Sequence, residues 1–418
     1  MFIKKKRVGS LPTKLRKNPK IIHYYNEIIR FWSKLNFIVN RSLKGSSSLE
    51  VNKISEYLYA TYRIIWENAT EKEVIKEIKK IDKNFLNRLK TFSWNKALIH
   101  KNEKEKFSII ESIPSFMIER LLPVMEIDFL KENVRFMNRT ENETEVTLRI
   151  NNLDKKVNSK EIISQISENF NKGKIDYRKD GDISQMFWIP LSQKNRVINN
   201  PLYQKGFLIF QDKASATVIK TLSPRKDDII CDMCAAPGIK TSLIAQCMNN
   251  KGHILAGDFL LDRIKMMRIL LTQLNVLNVH LINTDSIIFP IRSQNYFDKV
   301  LLDAPCTGSG NLLSSPELKW RQNEKFLRQN TILQRKLIKS ALNLLKTNGI
   351  FVYSTCSLYP EEGEYQILNF IECLEPLDLP KWIAPSYRIN NNTLLGTGRL
   401  FPSIHQTQGF FIGKFKKR

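Results

Sequence analysis

A chain of 418 residues with 42% apolar residues is long and apolar enough for two or three folded domains, which excludes wholesale disorder. No run approaches the ~18 consecutive apolar residues of a membrane-spanning helix. The net charge is +25, and the first 100 residues carry 22 Lys and Arg against 8 Asp and Glu, a net charge of +14. This charge favours binding to nucleic acid over the alternative of solubility combined with a general Lys bias.

The first part of the chain is predicted to be helical after a basic leader of residues 1–20. The leader continues into a segment too polar for the apolar core of a secretory signal, so a cytosolic protein is expected. Apolar residues then recur at three- and four-residue steps, which predicts a basic helical bundle. The polar run 138–145 marks the boundary of a helical domain over 21–140.

Strands and helices alternate after residue 140. Between 141 and 205 the patterns predict a small α+β module, with strands at 144–153, 174–179 and 186–191 and a helix at 160–170. From 206 to 418 the prediction is a catalytic domain with a parallel, doubly wound sheet. Its strands are predicted at 229–233, 253–257, 279–284, 298–303, 349–355 and 409–414, with helices at 260–275 and 325–346.

A cofactor loop is predicted where the first strand of the doubly wound sheet ends. The strand 228–232 leads into the small residues 233–241 and a helix predicted over 242–248. A strand, a turn of small residues and a helix N-terminus form the place where such a sheet binds a nucleotide-like ligand. Neither GxGxxG nor GxxxxGK is present, which disfavours NAD and ATP.

Each of the next three strands is followed by an acid: Asp258, Asp285 and Asp303. Asp258 lies twenty residues after Gly238, which suits a carboxylate that binds a ribose diol. The other two acids are placed for the adenine amine and the reaction zone. Single acids of this kind often only cap a helix, but three in succession favour S-adenosylmethionine as the cofactor.

Six cysteines occur, all in the C-terminal half. Cys231 and Cys234 have CxxC spacing, but zinc normally needs a second ligand pair, so no metal site is expected. Cys306, in Asp-Ala-Pro-Cys-Thr-Gly, and Cys356, in Ser-Thr-Cys-Ser, follow neighbouring strands. A single cysteine is usually a small buried hydrophobe, but two such thiols beside Asp303 favour catalysis.

Cytosine chemistry explains why two thiols are useful. C5 of cytosine is too weak a nucleophile to accept a methyl group directly. A thiolate that adds to C6 activates C5, an acid at N3 stabilises the developing charge, and a base then removes the C5 proton. The residues alone leave open which thiol has which role.

The loop Asp-Met-Cys-Ala-Ala-Pro-Gly (232–238), the motif Asp-Ala-Pro-Cys-Thr-Gly and the motif Ser-Thr-Cys-Ser are present in one chain. Together these three motifs resemble the Fmu/Sun (NOP/RsmB-type) family of RNA cytosine-C5 methyltransferases. The lead-in that begins Asn200-Pro-Leu-Tyr, the segment Leu148-Arg-Ile-Asn-Asn and the closing segment that begins Arg399-Leu-Phe-Pro resemble the same family. The resemblance covers 113–418 and is most specific over 200–418. It implies a Rossmann-like class I methyltransferase domain in an α/β fold, with an RRM-like module and a NusB-like all-α domain.

The resemblance also implies residue roles. Cys356 would be the nucleophile, Cys306 would assist release of the methylated base, and Asp303 would serve both catalysis and the cofactor. DNA cytosine enzymes use the Pro-Cys thiol instead, so the opposite assignment is the alternative. The other cofactor contacts would be Asp258, Arg263, Asp285 and the loop residues Cys234, Ala235, Ala236, Pro237, Gly238, Ile239 and Lys240.

The sequence departs from the family at two places. Ile239 replaces the second Gly of Gly-Gly-Lys and is expected to point into the core without loss of binding. The residues 406–409, Gln-Thr-Gln-Gly, replace a commonly acidic pattern, and their role is open.

The predicted function is methylation of C5 of a cytidine in RNA, ribosomal RNA favoured, by a monomeric enzyme with no membrane partner. The enzyme would act through a covalent cysteine–C6 adduct on a base drawn out of its stack. One alternative is a transfer RNA cytosine-C5 methyltransferase. The others are a catalytically silent RNA-binding or ribosome-assembly factor and a methyltransferase for DNA or another base.

Overall fold

The computed structural model describes residues 18–43, 50–78, 80–153, 159–291 and 294–418. Most of the predicted basic leader therefore lies outside the described residues. The chain divides into a helical unit, which runs up to Asn138 and includes Leu312–Glu324, and an α/β unit, which comprises Arg139–Asn311 and Lys325–Arg418. None of the described helices is long and apolar enough to cross a membrane.

The helical unit is built from short amphipathic helices, as the periodicity predicts. Local signals begin several of them: the Asn18 side chain accepts hydrogen bonds from first-turn N–H groups, and Thr70 and Glu73 form a capping box. Their apolar faces meet in a core that includes Leu35 and Phe85. The described helices are α1 (Pro19–Arg30), α2 (Trp32–Ser42), α3 (Val51–Ile65), α4 (Glu71–Glu77), α5 (Lys83–Lys90), α6 (Trp94–Ala97), α7 (Glu103–Ile110), α8 (Ser115–Leu121) and α9 (Ile127–Met137).

The segment Leu312–Glu324 belongs to the helical unit, although the predicted catalytic domain includes it. Lys319 Nζ donates to the Arg30 carbonyl over 2.9 Å, and Trp320 Nε1 donates to the Ile29 carbonyl over 2.8 Å. Both carbonyls lie at the C-terminal end of α1, where a helix has no partners of its own for them. This segment therefore caps the first helix of the unit.

The α/β unit begins with a small antiparallel sheet. Its elements are β1 (Glu145–Ile150), α10 (Ser159–Lys172), β2 (Arg178–Lys179), β3 (Met186–Pro190), α11 (Lys194–Ile198), α12 (Pro201–Gln204) and β4 (Leu208–Phe210). The strand order is β2-β3-β1-β4. The predicted strand 174–179 is reduced to its last two residues, and Tyr177 packs against Phe170 of α10. β4 lies beyond residue 205 and still pairs with β1.

The larger sheet carries the predicted site. Its order is β11-β14-β15-β9-β8-β5-β6-β7, with β10 paired to β15. Alternate residues of β8 face two apolar clusters, since Leu301 joins one and Val300 joins the other. The elements are α13 (Lys213–Leu222), β5 (Ile229–Asp232), α14 (Ile239–Cys247), β6 (His253–Asp258), α15 (Leu261–Gln273), β7 (Val279–Asn283), β8 (Phe297–Asp303), α16 (Glu324–Leu344), β9 (Leu345–Thr355), α17 (Glu364–Leu368), β10 (Leu374–Pro376), β11 (Ala384–Pro385), β12 (Arg388–Ile389), β13 (Asn392–Thr393), β14 (Thr397–Leu400), α18 (Pro402–His405) and β15 (Phe410–Lys417).

The predicted α/β domain on a central sheet is confirmed, but the prediction of a wholly parallel sheet is wrong. The strands β5 to β9 are parallel, whereas β15 runs antiparallel to β9, with Phe411 opposite Thr355. Parallel neighbours need a long crossover. Only the short helix α18 separates β14 from β15, and it reverses the chain. The carboxyl ends of the five parallel strands meet at one edge of the sheet.

Candidate active site

The predicted cofactor loop lies at the carboxyl end of β5. α14 begins at Ile239, three residues earlier than predicted, so its first-turn N–H groups are presented at the loop. Gly238 has a φ of 101°, and a Cβ there would lie 2.8 Å from Met267 Cγ, so the position requires glycine. The Ala235 N–H donates to the Gly257 carbonyl over 2.9 Å and ties the loop to β6. The loop also contains Cys234, Ala236 and Pro237.

Asp258 and Arg263 hold this loop together. Asp258 ends β6 with 3% of its surface exposed, and its Oδ2 accepts a hydrogen bond from the Ala236 N–H over 3.2 Å. Arg263 Nη1 lies 3.0 Å from the same carboxylate oxygen, and Arg263 Nη2 donates to the Ala236 carbonyl. The Arg263 side chain is 49% exposed, whereas the Asp258 carboxylate with which it pairs is buried.

Asp285 lies exposed in the loop after β7. Its Oδ1 accepts a hydrogen bond from the Ile287 N–H over 2.9 Å and caps a short 3-10 turn. The preceding Thr284 N–H donates to the Asp258 carbonyl over 3.1 Å, which joins this loop to the end of β6. The structure therefore places Asp285 beside the Asp258 segment and gives it the capping contact that single strand-end acids often make.

Asp303 forms the centre of a polar group at the ends of β8 and β9. Ser354 Oγ donates to its Oδ1 over 2.7 Å, and Lys240 Nζ lies 2.7 Å from its Oδ2. Burial alone would lower the pKa of Lys240, but the neighbouring Asp303 carboxylate raises it on balance. The loop helix and the strand that precedes Cys306 are thus joined by an ion pair.

Asp232, which the sequence prediction missed as a site residue, lies next to this ion pair. It ends β5, is 1% exposed and accepts a hydrogen bond from Thr241 Oγ1 over 2.7 Å. Burial raises the pKa of Asp232 to about 7, and the nearby Asp303 carboxylate adds to the rise. Its position at a strand end is the same signal that identified Asp258.

The two predicted thiols meet at this edge. Cys306 Sγ and Cys356 Sγ lie 3.0 Å apart, and both residues are half-buried. They converge because β8 and β9 are adjacent and parallel, with Asp303 opposite Ser354. The hydrogen bond to Cys356, followed by burial and the charge of Glu362, raises the pKa of the Cys306 thiol well above its ordinary value. Cys306 is therefore protonated at neutral pH.

Glu362 fixes the Cys306 loop, a role that the sequence prediction also missed. Its buried carboxylate accepts hydrogen bonds from the Thr307 N–H over 2.9 Å and from Gln334 Nε2 over 2.9 Å. Gln334 also donates to the Pro305 carbonyl over 2.8 Å, so both sides of Cys306 are anchored. The available signal was the Pro-Glu-Glu turn that follows the Ser-Thr-Cys-Ser motif.

A buried ion pair fixes the turn after Cys356. Arg399 and Glu364 have fully buried side chains and form two hydrogen bonds, of 2.6 and 2.8 Å. The same guanidinium donates to the carbonyls of Ser357 and Tyr359 over 2.9 and 3.2 Å. A bidentate pair of this kind holds a backbone turn in one geometry.

The segment before β15 supports the thiol loops through its backbone. The Gly409 N–H donates to the Gly310 carbonyl over 2.9 Å, and the Gly310 N–H donates to the Cys356 carbonyl over 3.0 Å. Thr407 Oγ1 donates to Asp212 Oδ1 over 2.7 Å. Within residues 406–409, these contacts use the Gly409 N–H and the Thr407 hydroxyl, neither of which is acidic.

Two further sequence features are placed by the structure. Ile239 is half-buried and belongs to neither apolar cluster, rather than pointing into the core. Cys231 is fully buried, and Cys234 is half-buried at the loop. Within the part of the chain that the structure describes, no group of three or more His, Cys, Asp or Glu side chains is arranged to hold a metal ion.

Comparison with known proteins identifies relatives of this chain. A family model described as 16S rRNA methyltransferase RsmB/F matches residues 219–416. A 28S rRNA (cytosine-C(5))-methyltransferase of Mus musculus is 33% identical over 318 residues, which are 73% of this chain and 39% of the relative. A tRNA (cytosine(49)-C(5))-methyltransferase of Pyrococcus abyssi is 33% identical over 294 residues, which are 65% of this chain and 88% of the relative.

Solved structures agree with these relatives. The crystal structure of a methyltransferase homolog protein from Pyrococcus horikoshii superposes with a TM-score of 0.64 at 28% identity, over 76% of this chain and all of that protein. The chain spans only about two fifths to one half of the length of the first curated relatives that it matches. It covers most of the Pyrococcus abyssi protein, however, at more than 30% identity. The resemblance seen in the sequence is confirmed, and the chain belongs to the RsmB/F family of RNA cytosine-C5 methyltransferases.

Proposed function

We propose that this chain transfers a methyl group from S-adenosylmethionine to C5 of a cytidine in RNA, with ribosomal RNA as the favoured substrate. The observation that carries the proposal is the convergence of Cys306 and Cys356 Sγ, 3.0 Å apart, beside Asp303. Two thiols and an acid at one sheet edge match the chemistry that C5 methylation of cytosine requires. A catalytically silent factor would not need this assembly.

The residues at the end of β5 and β6 fit S-adenosylmethionine. The first-turn N–H groups of α14 suit its carboxylate, and the strand-end carboxylate of Asp258 suits a ribose diol. Because Gly238 has no Cβ, Met267 of α15 packs directly against the loop that carries these N–H groups. Lys240, Arg263 and Asp285 surround the same region. Once bound, the cofactor supplies the electrophilic methyl group.

The thiols would divide the covalent steps. We assign Cys356 as the nucleophile that adds to C6 of cytosine, as the family resemblance implies. Asp303, oriented by Ser354 and Lys240, would hydrogen-bond the N3 edge of the base. A base that removes the C5 proton would let Cys356 leave as a thiolate, and Cys306 would assist this release of the methylated base.

The finer architecture is part of the same proposal. The four-stranded module would be RRM-like and the helical unit NusB-like, and each would hold folded RNA. Support comes from the antiparallel order β2-β3-β1-β4 and from the net charge of +14 over the first 100 residues. A cytosolic location and a monomeric state remain predictions from the sequence.

Transfer RNA is the second candidate substrate. It is favoured by the Pyrococcus abyssi relative, a transfer RNA enzyme by its name, since this chain covers 88% of that protein. The ribosomal RNA enzymes that match are covered over a smaller share of their length.

A methyl-transfer assay tests both candidates. The full chain is incubated with methyl-labelled S-adenosylmethionine and, separately, ribosomal RNA, transfer RNA or duplex DNA, and the labelled nucleosides are identified by mass spectrometry. Label at C5 of cytidine in one RNA class supports the proposal and selects the substrate. Label at another base, label in DNA alone, or RNA binding without turnover contradicts it.

A further inference from the structure

Arg149 is a buried cation that the proposed chemistry does not use. It lies in β1 of the small sheet with 1% of its surface exposed. Its guanidinium donates to Gln211 Oε1 over 2.6 Å, to Ser242 Oγ over 2.7 Å and to Gln246 Oε1. No carboxylate of the described residues lies within ion-pairing distance of it.

Stability alone does not explain this residue. Burial lowers the pKa of Arg149 to about 10, so the side chain is still charged at neutral pH. Burial of a charge without a counter-ion costs free energy, and hydrogen bonds to neutral acceptors only partly offset that cost. Apolar residues in place of both Arg149 and its acceptors would fill the same space at a lower cost. The role of the buried guanidinium is therefore to hold the side chains that accept its hydrogen bonds.

Two of these acceptors lie on the helix of the cofactor loop. Ser242 and Gln246 are one turn apart on α14, which begins directly after Gly238. Ser242 Oγ donates to the Ile239 carbonyl over 2.8 Å, so its lone pairs face Arg149. Gln246 Nε2 donates to the Ile150 carbonyl over 3.1 Å, which fixes the orientation of its amide.

The same stretch of β1 reaches a second helix near the site. Asn151 Nδ2 donates to the Leu274 carbonyl over 3.0 Å, at the end of α15, and to the Gly206 carbonyl over 2.9 Å. α15 is the helix that carries Arg263. Arg149, Ile150 and Asn151 are consecutive residues at the end of β1. Together they contact α14, which follows the cofactor loop, and α15, which carries Arg263.

We propose that Arg149 is a positioning residue for the cofactor: it holds the helix α14, and through this helix the loop 233–238, in the geometry that binding needs. The small module is then a structural part of the cofactor site as well as an RNA-binding element. This inference rests on the proposed function, because it assumes that the loop binds S-adenosylmethionine.

Calorimetric titration of the full chain with S-adenosylhomocysteine tests the proposal without turnover. Arg149→Met is expected to raise the Kd by roughly tenfold or more, since small displacements in a binding site have large effects. Its denaturation midpoint is expected to fall, because three buried acceptors lose their donor, so the titration is made at a temperature where both proteins are folded. Arg149→Lys keeps the positive charge but lacks the planar guanidinium that donates to several acceptors at once. It is expected to give a Kd between those of the wild type and Arg149→Met.

Two variants keep the test decisive. Ser242→Ala removes one hydroxyl from the helix side of the contact and is expected to raise the Kd, by less than Arg149→Met does. Leu148→Ala, whose side chain lies in the core on the other face of β1, is expected to lower stability without changing the Kd. Wild-type affinity in both Arg149→Met and Ser242→Ala, or in Ser242→Ala alone if Arg149→Met does not fold, overturns the inference. A wild-type chain that does not bind S-adenosylhomocysteine overturns the proposed function instead.

Discussion

At the scale of single residues, the site depends on two sulfur atoms with different environments. Cys306 is hydrogen-bonded to Cys356 and lies near the buried Glu362 carboxylate, which keeps its proton on. The family resemblance assigns Cys356 as the nucleophile, and the structure places its sulfur 3.0 Å from that of Cys306. The assignment of roles to the two thiols is a prediction that replacement of each cysteine tests.

Replacement of each thiol separates the two roles. Cys356→Ala is expected to abolish turnover and adduct formation, because no sulfur remains to add to C6. Cys306→Ala is expected to accumulate a covalent protein–RNA complex, because release of the methylated base is impaired. Denaturing gel electrophoresis with labelled RNA measures the adduct, and Cys373→Ala, at an exposed cysteine, serves as the control. Adduct in the Cys356 variant would reverse the assignment.

Asp232 makes a prediction about pH. Its pKa in the folded chain, about 7, exceeds the ordinary value of 3.8, so the stability that the protonated form contributes is lost as the pH rises from about 4 to about 7. Asp232→Asn does not titrate and is expected to be more stable than the wild type at pH 8, by up to about 4 kcal/mol. The advantage should shrink towards pH 4.

Denaturation midpoints of both proteins, measured from pH 4 to pH 8, check this expectation. Asp262→Asn, at an exposed acid of α15, is the matched control and should follow the wild type. A midpoint difference between Asp232→Asn and the wild type that does not change with pH would contradict a raised pKa.

At the scale of elements, loops at the sheet edge are held by buried polar side chains from elsewhere in the chain. Glu362 and Gln334 anchor the loop after β8, and the Arg399–Glu364 pair anchors the turn after β9. Arg149 does the same for α14. Burial of these polar and charged groups costs free energy that their hydrogen-bond partners offset. They therefore hold the loops in one geometry only while every partner is present.

The Arg399–Glu364 pair provides a test of this arrangement. Arg399→Met leaves a buried carboxylate unpaired and is expected to lower the free energy of unfolding by about 3–5 kcal/mol. Glu364→Leu in the same chain should recover much of that loss, because the second charge is then also removed. Lys416→Met, which breaks the partly exposed pair with Glu375, should change stability by less than about 1 kcal/mol. Chemical denaturation measures all three, and equal losses in the single and double variants would contradict the argument.

At the scale of the whole molecule, the dominant feature is positive charge. A net charge of +25 on 418 residues, concentrated at the N-terminal end, suits a partner whose phosphates are neutralised on binding. The cofactor, by contrast, would be held by local hydrogen bonds at one sheet edge. The two ligands should therefore respond differently to salt.

RNA affinity is expected to fall steeply with ionic strength. If six to ten phosphates are contacted, the affinity should drop by about 10³–10⁵ between 50 and 200 mM salt. Fluorescence anisotropy with labelled RNA gives the slope of log K against log salt. Binding of S-adenosylhomocysteine is the internal control and should change little over the same range. A shallow slope for RNA would show that the charge does not serve RNA binding.

Local patterns in the sequence were enough for much of this protein. Strand and helix periodicity predicted the order of the elements, because side-chain burial repeats every two or about 3.6 residues within an element. The site followed from one rule, that the carboxyl ends of parallel strands share an edge, which brought Asp258, Asp303 and the two thiols together. Asp232 also ends a parallel strand, so the same rule could have identified it as a site residue, but it was not predicted.

The remaining features depend on contacts between residues far apart in the chain. Arg399 and Glu364 are 35 residues apart, Arg149 and Ser242 are 93 apart, and Lys319 lies 289 residues from Arg30. No periodicity encodes such pairs, because each exists only after separate elements have packed. The antiparallel direction of β15 and the place of Leu312–Glu324 in the helical unit have the same origin. Sequence alone thus determined which chemical groups the protein carries and in which elements, whereas folding in three dimensions determined what holds those groups in place.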